Sequence, residues 1–258
     1  MVKGLYTAYT GMLNEQHRMD VLTNNLANAD TNGFKKEGAT SQAFDAILAY
    51  KIKDSSENTH LARRLGVNHP GVKIGEGYTD FSQGPIKSTG NAYDLALTDA
   101  GFFAVEFTSK SGETSVKYTR DGDFTLTEDG RLVTRDGDPV LDENGSYIEI
   151  NQLLPAEINS SGQIIQDGKV VATIQVTDFE DYDYLERYGE NYFQPIEGAQ
   201  EKEAAAEIRS GYLETSNISV VTEMVNMITV SRAYESNQKV ITTYDSTLDI
   251  AANQLGRI

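Results

Sequence analysis

The chain has no cysteine, which excludes disulfides, thiolate metal sites and cysteine nucleophiles. It leaves the compartment open, because a chain without thiols tolerates oxidising and reducing surroundings alike. Histidine is scarce: His17, His60 and His69 are the only three. They form no HExxH or other close ligand pair and read as surface or hinge residues. No run approaches the ~18 to 20 consecutive apolar residues that span a bilayer, so direct membrane insertion is not expected. Lys3 is followed by GLYTAYTGML, which Thr7, Thr10 and two glycines interrupt, and no small-residue cleavage site follows; a cleaved secretory signal is not expected either. No GxSxG elbow, Walker loop or GxGxxG fingerprint occurs. Gly75 and Gly77 begin a G-x-G, but Asp80 stands where the third glycine belongs, so nucleotide binding has no support.

Positive charge is also in deficit, with 22 Lys and Arg against 39 Asp and Glu among 258 residues and a net charge of −17. Such a chain repels the phosphates of nucleic acid and an anionic membrane surface. The deficit is uneven. Residues 1–54 are balanced and residues 211–258 carry −2, which leaves −15 for the middle. The middle reads as solvated and self-repelling, and the nearly neutral ends as surfaces that can approach copies of themselves. The hydrophobic content of 39% is ordinary and suffices for one large core or two modest ones.

Apolar residues near the N-terminus recur at sevenfold spacing as Leu5, Met12, Met19 and Leu26, with Ala8 and Leu22 three positions beyond two of them. This predicts an amphipathic helix with a narrow stripe. It should end near Asn28, because Asp30, Thr31, Asn32 and Gly33 favour turns and Gly33 can take the left-handed conformation past a helix end. The other end is more regular. Met227, Val230, Tyr234, Asn237, Ile241, Tyr244, Leu248, Ala251 and Leu255 alternate steps of three and four, the two-in-seven seam of a coiled coil. Only Asn237 among them is polar, and a polar seam residue of this kind fixes register at some expense of stability. No proline follows Pro195, so nothing breaks the helix.

Between the helices, runs such as FFAVEF, FTLT, RLVT, YIEI and VVATIQV are separated by Asp-Gly, Asn-Gly and Ser-Gly pairs, the marks of antiparallel hairpins. YTRDGDFTL (118–126) and VTRDGDPVL (133–141) repeat at a 15-residue offset, which predicts two turns of one type. The fold class is therefore α+β: N- and C-terminal coiled-coil helices, residues 1–54 and 211–258, pair as one discontinuous domain, and 72–210 form a central antiparallel β domain. Residues 55–71 read as a hinge or loop, and EKEAAAEI (201–208) as a helical turn.

The acidic turns raise the question of calcium, since Asp121-Gly122-Asp123 and Asp136-Gly137-Asp138 place carboxylates two apart. The next alternate positions are Thr125 and Val140, and no bidentate glutamate falls at the twelfth place, so hairpin turns are preferred. Asp178, Glu180, Asp181 and Asp183 mix with aromatic residues and read as a solvated edge; a catalytic carboxylate pair would need an enclosed pocket to separate its pKa values. No catalytic, cofactor-binding or metal residue is expected.

The terminal helices cannot be stable on one narrow stripe each, because backbone entropy opposes ordering so long a segment. Pairing still leaves Tyr6, Tyr9, Leu13, Val225, Ile228 and Val240 off the seam. Periodicity alone keeps two readings open: these second faces meet neighbouring subunits, the ends becoming ordered on assembly, or the ends form an intramolecular helical hairpin capping a β domain.

VLTNNLANADTNGFKK (21–36) closely resembles the N-terminal signature of bacterial flagellar rod and hook proteins, and GYLETSNISVVTEMVNMITVSRAYESNQKVI (211–241) resembles their closing motif more closely still. NAYDLALTDAGFFAVE (91–106) and residues 118–141 look like the central β region of that family. The resemblance implies a structural subunit, not an enzyme, of the flagellar basal-body rod. In this family the terminal helices pack around an export channel and the β domain lies outside. The subunits reach a rod spanning the periplasm or cell wall through the flagellar type III export apparatus, without a cleaved signal. The implied partners are copies of itself and other rod and hook subunits, with no cofactor. Length suits the proximal and distal rod types and leaves them unseparated, with a slight lean to the proximal. A hook or other extracellular axial subunit is the alternative, ahead of a metal-binding β domain.

Matched position by position, Asn24, Asn25, Leu26, Asn28, Thr31, Gly33 and Phe34 form the first signature. The second comprises Gly211, Leu213, Glu214, Ser216, Asn217, Glu223, Met224, Val225, Met227, Ile228, Arg232, Ala233, Tyr234 and Glu235. In local terms Gly33 makes a turn, Phe34 an anchor, and Ser216 or Asn217 an N-cap. The amides of Asn24, Asn25 and Asn28 either bond between subunits or cap their own helix. Combining seam and signatures, the expected assembly residues are Leu5, Met12, Met19, Asn24, Asn25, Leu26, Asn28, Gly33, Phe34, Met224, Met227, Ile228, Val230, Arg232, Tyr234, Asn237, Ile241, Tyr244, Leu248 and Leu255.

Overall fold

The computed structural model describes residues 2–45, 47–51, 63–68, 71–110 and 112–253. It has a long helix near each end and antiparallel β pairing between them, an α+β architecture. The chain divides into two compact units. One comprises Met1–Leu26, Glu37–Thr79 and Val220–Ile258, the other Ala27–Lys36 and Asp80–Ser219. These limits differ from those expected: 72–79 belong with the helices, and 27–36 and 211–219 with the β unit. Backbone pairing explains the shift, since Val72–Asp80 pairs with Lys36–Ala43, while Tyr212–Glu214 pairs with Ile86–Ser88. Long-range hydrogen bonds of this kind leave no mark in local periodicity.

In the helical unit, α1 spans Val2–Ala27 and α2 spans Val220–Asn253. The turn after α1 is closed by Thr31 N–H donating to the Asn28 carbonyl (3.3 Å), and Gly33 has φ +67°. Ile47–Lys51 pairs antiparallel with Arg63–Asn68, which corrects the reading of 55–71 as loop throughout; 55–62, 69 and 70 lie outside the described residues. Four contacts tie α1 to residues 37–44 and to Gly71. The Tyr6 and Phe44 rings are 6.3 Å apart, and Ser41 Oγ donates to Asn14 Oδ1 (3.0 Å). Gly71 lies against Thr10 so closely that a Cβ would overlap its hydroxyl. Asn25 grips the backbone of Glu37 with both arms, Nδ2 donating to its carbonyl (2.7 Å) and Oδ1 accepting from its N–H (2.9 Å).

In the β unit a six-stranded sheet runs in the order Leu185–Tyr188, Tyr192–Pro195, Thr114–Thr119, Phe102–Thr108, Val176–Phe179, Glu201–Glu203. Successive side chains of a strand face opposite ways. Phe103 and Val105 therefore enter one core, with Leu95, Phe124, Leu132, Val140, Ile148 and Ile164, and Phe102 and Ala104 enter a second, with Tyr118, Leu141, Phe179 and Phe193. Both faces of the strand are covered, which is why FFAVEF reads as a continuous apolar run rather than an alternating one.

Three further local expectations are corrected. Residues 201–203 form an edge strand paired with Val176–Phe179 and 208–210 pair with Leu95–Leu97, so the helical propensity of EKEAAAEI is overridden by available β partners. The two TRDGD copies adopt different conformations. Thr134 N–H bonds the Asp138 carbonyl (2.8 Å) across a tight turn with Gly137 at φ +98°. Gly122 instead lies flat against the Leu95 carbonyl, where a Cβ would collide, and its own carbonyl accepts from Leu95 N–H (3.0 Å). Asp178 is buried rather than solvated and accepts from the Tyr182 hydroxyl (2.7 Å), while Glu180, Asp181 and Asp183 are exposed.

Candidate assembly surface

Along α2, exposure follows the alternating three- and four-residue step. Glu223 and Val230 are buried, Met227, Tyr234, Asn237, Ile241 and Tyr244 are half-buried, and the positions between them are mostly exposed. The shielded line stops at Tyr244, because Leu248, expected to continue it, is 48% exposed. Leu255 lies outside the described residues. On α1, Ala8, Thr10, Asn14 and Asn25 are buried and Leu5, Met12, Met19, Leu22 and Leu26 half-buried. The two helices touch at α1 glycines: a Cβ on Gly4 would stand 2.5 Å from Tyr244 Oη, and one on Gly11 3.0 Å from Asn237 Nδ2.

A second set of apolar side chains faces away from this line. Tyr6, Tyr9 and Leu13 on α1 are exposed, as are Val221, Met224, Val225, Ile228, Val240 and Ile250 on α2, with Val225 at 57% and Ile228 at 53%. Side chains of that size are rarely clustered in the open on a closed monomer. Arg232 and Asn24 are exposed as well. The expected assembly residues thus fall into two groups. Val230, Asn25, Gly33 and Phe34 are buried within the chain and Leu5, Met12, Met19, Leu26, Asn28, Met227, Tyr234, Asn237, Ile241 and Tyr244 half-buried, whereas Asn24, Met224, Ile228, Arg232 and Leu248 lie open.

In the β unit, the segment that follows α1 and the segment that leads into α2 meet at a buried charge cluster. Lys35 Nζ is 2.6 Å from Glu214 Oε1 and donates to the Ser82 carbonyl (2.9 Å); Arg120 Nη1 is 3.3 Å from Glu214 Oε2. Gly84 N–H also donates to Glu214 Oε1 (2.8 Å), and Gly33 N–H to the Glu214 carbonyl (2.8 Å). Each charged side chain is about 1 to 3% exposed, a depth at which an unpaired charge is strongly disfavoured. Burial lowers the Lys35 ammonium from its ordinary pKa, and the Glu214 carboxylate opposes that shift. Around the cluster, the Arg187 guanidinium lies 4.0 Å over the Phe34 ring and donates to the Lys35 carbonyl (3.4 Å). Gly33 packs on the Arg120–Asp121 peptide with no room for a Cβ.

Asn217 does not cap α2. Its Oδ1 accepts from Lys36 N–H (2.8 Å) and its Nδ2 donates to the Asp80 carbonyl (2.8 Å) and to Ser82. Ser216 Oγ accepts from Ile218 N–H (3.3 Å), closing a turn ahead of the helix start at Val220. Of the three signature asparagines, Asn25 bonds within the chain to Glu37, and Asn28 Oδ1 accepts from Thr31 Oγ1 (3.2 Å). Nearby, Asn191 Nδ2 bridges the Asn32 carbonyl (3.3 Å) and Asp121 Oδ2 (3.2 Å). Burial raises the Asp121 carboxyl to about 6, the backbone N–H of Asp123 and the Asn191 amide opposing and the charges of Asp123 and Asp136 adding. Sequence reasoning missed Lys35, Arg120, Arg187 and Asn191, which lie far apart in the chain and resemble ordinary surface residues.

Among the described residues no group of three or more His, Cys, Asp or Glu could hold a metal ion, and no helix is long and apolar enough to cross a membrane. These features define a class: an α+β protein whose β unit closes on its own cores and whose helical unit presents an open apolar face.

Three family models match the chain. Residues 5–35 match one described as flagella basal body rod protein, 96–172 the flagellar hook protein FlgE/F/G D1 domain, and 209–255 the flagellar basal body rod FlgEFG protein C-terminal. The flagellar basal-body rod protein FlgG of Buchnera aphidicola subsp. Schizaphis graminum is 33% identical, over 96% of this chain and 98% of the relative. The flagellar basal-body rod protein FlgF of Caulobacter vibrioides is 34% identical, and the flagellar hook-basal body complex protein FlhO of Bacillus subtilis 30%, each over the full length of both chains. The chain belongs to the flagellar basal-body rod protein family, and it is a structural rod subunit of the flagellum.

Proposed function

We propose that the protein polymerises through its terminal helices, α1 and α2 pairing as a short coiled coil within each subunit and their outer faces meeting neighbouring subunits, so that the helices line an export channel and the assembly serves as drive shaft. One observation carries the reading: a half-shielded line of seam residues is flanked on both helices by large apolar side chains in the open, Tyr6, Tyr9 and Leu13 on one and Val225, Ile228 and Val240 on the other. The first line is partly covered inside the chain as far as Tyr244. The second needs another molecule, and an open helical polymer supplies one through a contact between unlike surfaces. The partners are copies of this chain and other rod and hook subunits, reached through the flagellar type III export apparatus, and the role is structural rather than enzymatic.

Deleting the gene should abolish motility and leave basal bodies without a complete rod; a motile deletion strain would refute the rod function. An Ile228→Asp variant should keep the stability of the β unit and fail to restore motility. Unchanged assembly of that variant removes the outer face from the interface. The D1 domain match also covers hook proteins, and a labelled subunit found in the hook rather than the basal body would favour that second reading.

A further inference from the structure

The two glycines of α1 occupy positions that need a reason, since a glycine inside a helix is markedly less favourable than alanine. Gly4 and Gly11 are the only glycines in α1 and stand seven residues apart, hence on one face. Each receives a polar-tipped seam residue of α2. A Cβ on Gly4 would lie 2.5 Å from Tyr244 Oη and 3.1 Å from its Cζ; a Cβ on Gly11 would lie 3.0 Å from Asn237 Nδ2 and 3.4 Å from its Cγ. Tyr244 and Asn237 are also seven apart, and the order of the contacts makes the helices antiparallel.

From this geometry we propose that Gly4 with Tyr244 and Gly11 with Asn237 form a two-point register key, setting the alignment of α1 on α2 and thereby the faces the pair turns outward. Two slots for two large side chains admit one alignment. A slip of one heptad in one direction puts Arg18, seven beyond Gly11, opposite Asn237; the slip in the other puts Gly4 opposite Asn237 and Gly11 opposite Val230, so that Gly11 loses its polar-tipped partner. Leu5, Met12 and Met19 are apolar and accept any heptad slip alike, so the apolar stripe cannot discriminate. The four residues are positioning residues: they act by holding Tyr6, Tyr9 and Leu13 on one side and Val225 and Ile228 on the other, where a neighbour can meet them. That consequence rests on the assembly reading above, whereas the key itself is a property of the isolated chain.

Because the chain has no cysteine, cysteine pairs report alignment cleanly. In dilute full-length protein, Gly11→Cys with Asn237→Cys should cross-link within one chain through a short bis-thiol reagent at least tenfold faster than the off-register pairs Gly11→Cys with Tyr244→Cys and Gly4→Cys with Asn237→Cys. Equal rates overturn the key. A second test changes sign with the answer. Leucine is a far better helix former than glycine, so without a key Gly11→Leu raises the midpoint of helix melting followed by circular dichroism. With it, the midpoint falls by about 5 °C, Asn237→Ala restores it and Tyr244→Ala does not. A rise in Gly11→Leu, or equal rescue by both, overturns the proposal. Failure of the assembly reading looks different: an Ile228→Asp chain that still builds rods while the in-register pair still cross-links rejects the outer face and leaves the key standing.

Discussion

The two units of this chain use their apolar residues in opposite ways. In the β unit two apolar cores are closed, Phe102 and Phe103 being fully buried on opposite faces of one strand, although Leu153, Val170 and Val171 among others stay exposed. In the helical unit, Ala8 and Val230 are the only buried hydrophobic residues among those described, while Tyr6, Tyr9, Leu13, Val221, Met224, Val225, Ile228 and Val240 are open. Burial of apolar surface is the main force that folds a chain or joins two. The β unit has used most of it within itself. The helical unit leaves much of it unused, although both helices are formed in the single chain. Stability and assembly are therefore separable: substitutions in the first unit should act on folding, and substitutions on the open face of the second should act on polymerisation.

The largest expected effect lies in the core. Phe103→Ala should destabilise the β unit by about 4 kcal/mol, read as a fall in the urea midpoint with tertiary signal as the probe; a change near zero would mean that this unit is not held by its own core. Next is the charge cluster. Glu214→Ala leaves Lys35 and Arg120 buried without their anion, at roughly 3 kcal/mol, and adding Lys35→Met should recover part of the loss. If the single variant unfolds at the wild-type midpoint, the cluster is not what joins the two segments there.

A smaller effect concerns pH. Asp121 holds its proton more tightly when folded, at about 6 against an ordinary 3.8. Its contribution to stability therefore grows as pH falls from 7 toward 4 and is lost as pH rises through 6. Asp121→Asn should be more stable than wild type at pH 7.5, by on the order of 1 to 2 kcal/mol, and the difference should shrink at pH 4.5; the comparison of urea midpoints at the two values checks it. The smallest effect on folding is predicted for Val225→Ser with Ile228→Ser. Because both side chains are open, stability should move by no more than about 0.5 kcal/mol, yet rods should fail to form and swimming in soft agar should cease. A stability loss equal to that of Phe103→Ala would erase the contrast between the two units.

Much of the helical unit was legible in the chain itself. The spacing of Met227, Val230, Tyr234, Asn237, Ile241 and Tyr244 places them on the shielded line of α2, because a helix converts a three-four rhythm directly into a face. The six residues left off that line, Tyr6, Tyr9, Leu13, Val225, Ile228 and Val240, are all exposed. The turn at Gly33 was legible for the same local reason. The limits of such reasoning show at Leu248, which continues the rhythm but is exposed, since rhythm does not say where a partner ends.

The β unit was legible as a class and not in its details. Alternating short runs and Gly turns marked the strands, yet TRDGD folds in two ways, EKEAAAEI pairs as strand at both its ends, and Asp178 goes inside. Those outcomes depend on which backbone groups lie opposite, and the partners are distant in sequence. The same holds for Lys35, Arg120 and Glu214: nothing around any one of them announces that its charge is buried.

By itself the sequence determined two terminal helices with a seam and a spare apolar face, a β-rich middle, and the motifs of the flagellar rod family, because helical periodicity, turn chemistry and motif spacing are local properties. Only the tertiary structure decided that the segments flanking the helices join the β unit through Glu214 and Asn217, that Gly4 and Gly11 face Tyr244 and Asn237, and which apolar residues stay open. Each of these is a contact between residues far apart in the chain, and burial, with the pairing it enforces, exists only once those residues have been brought together.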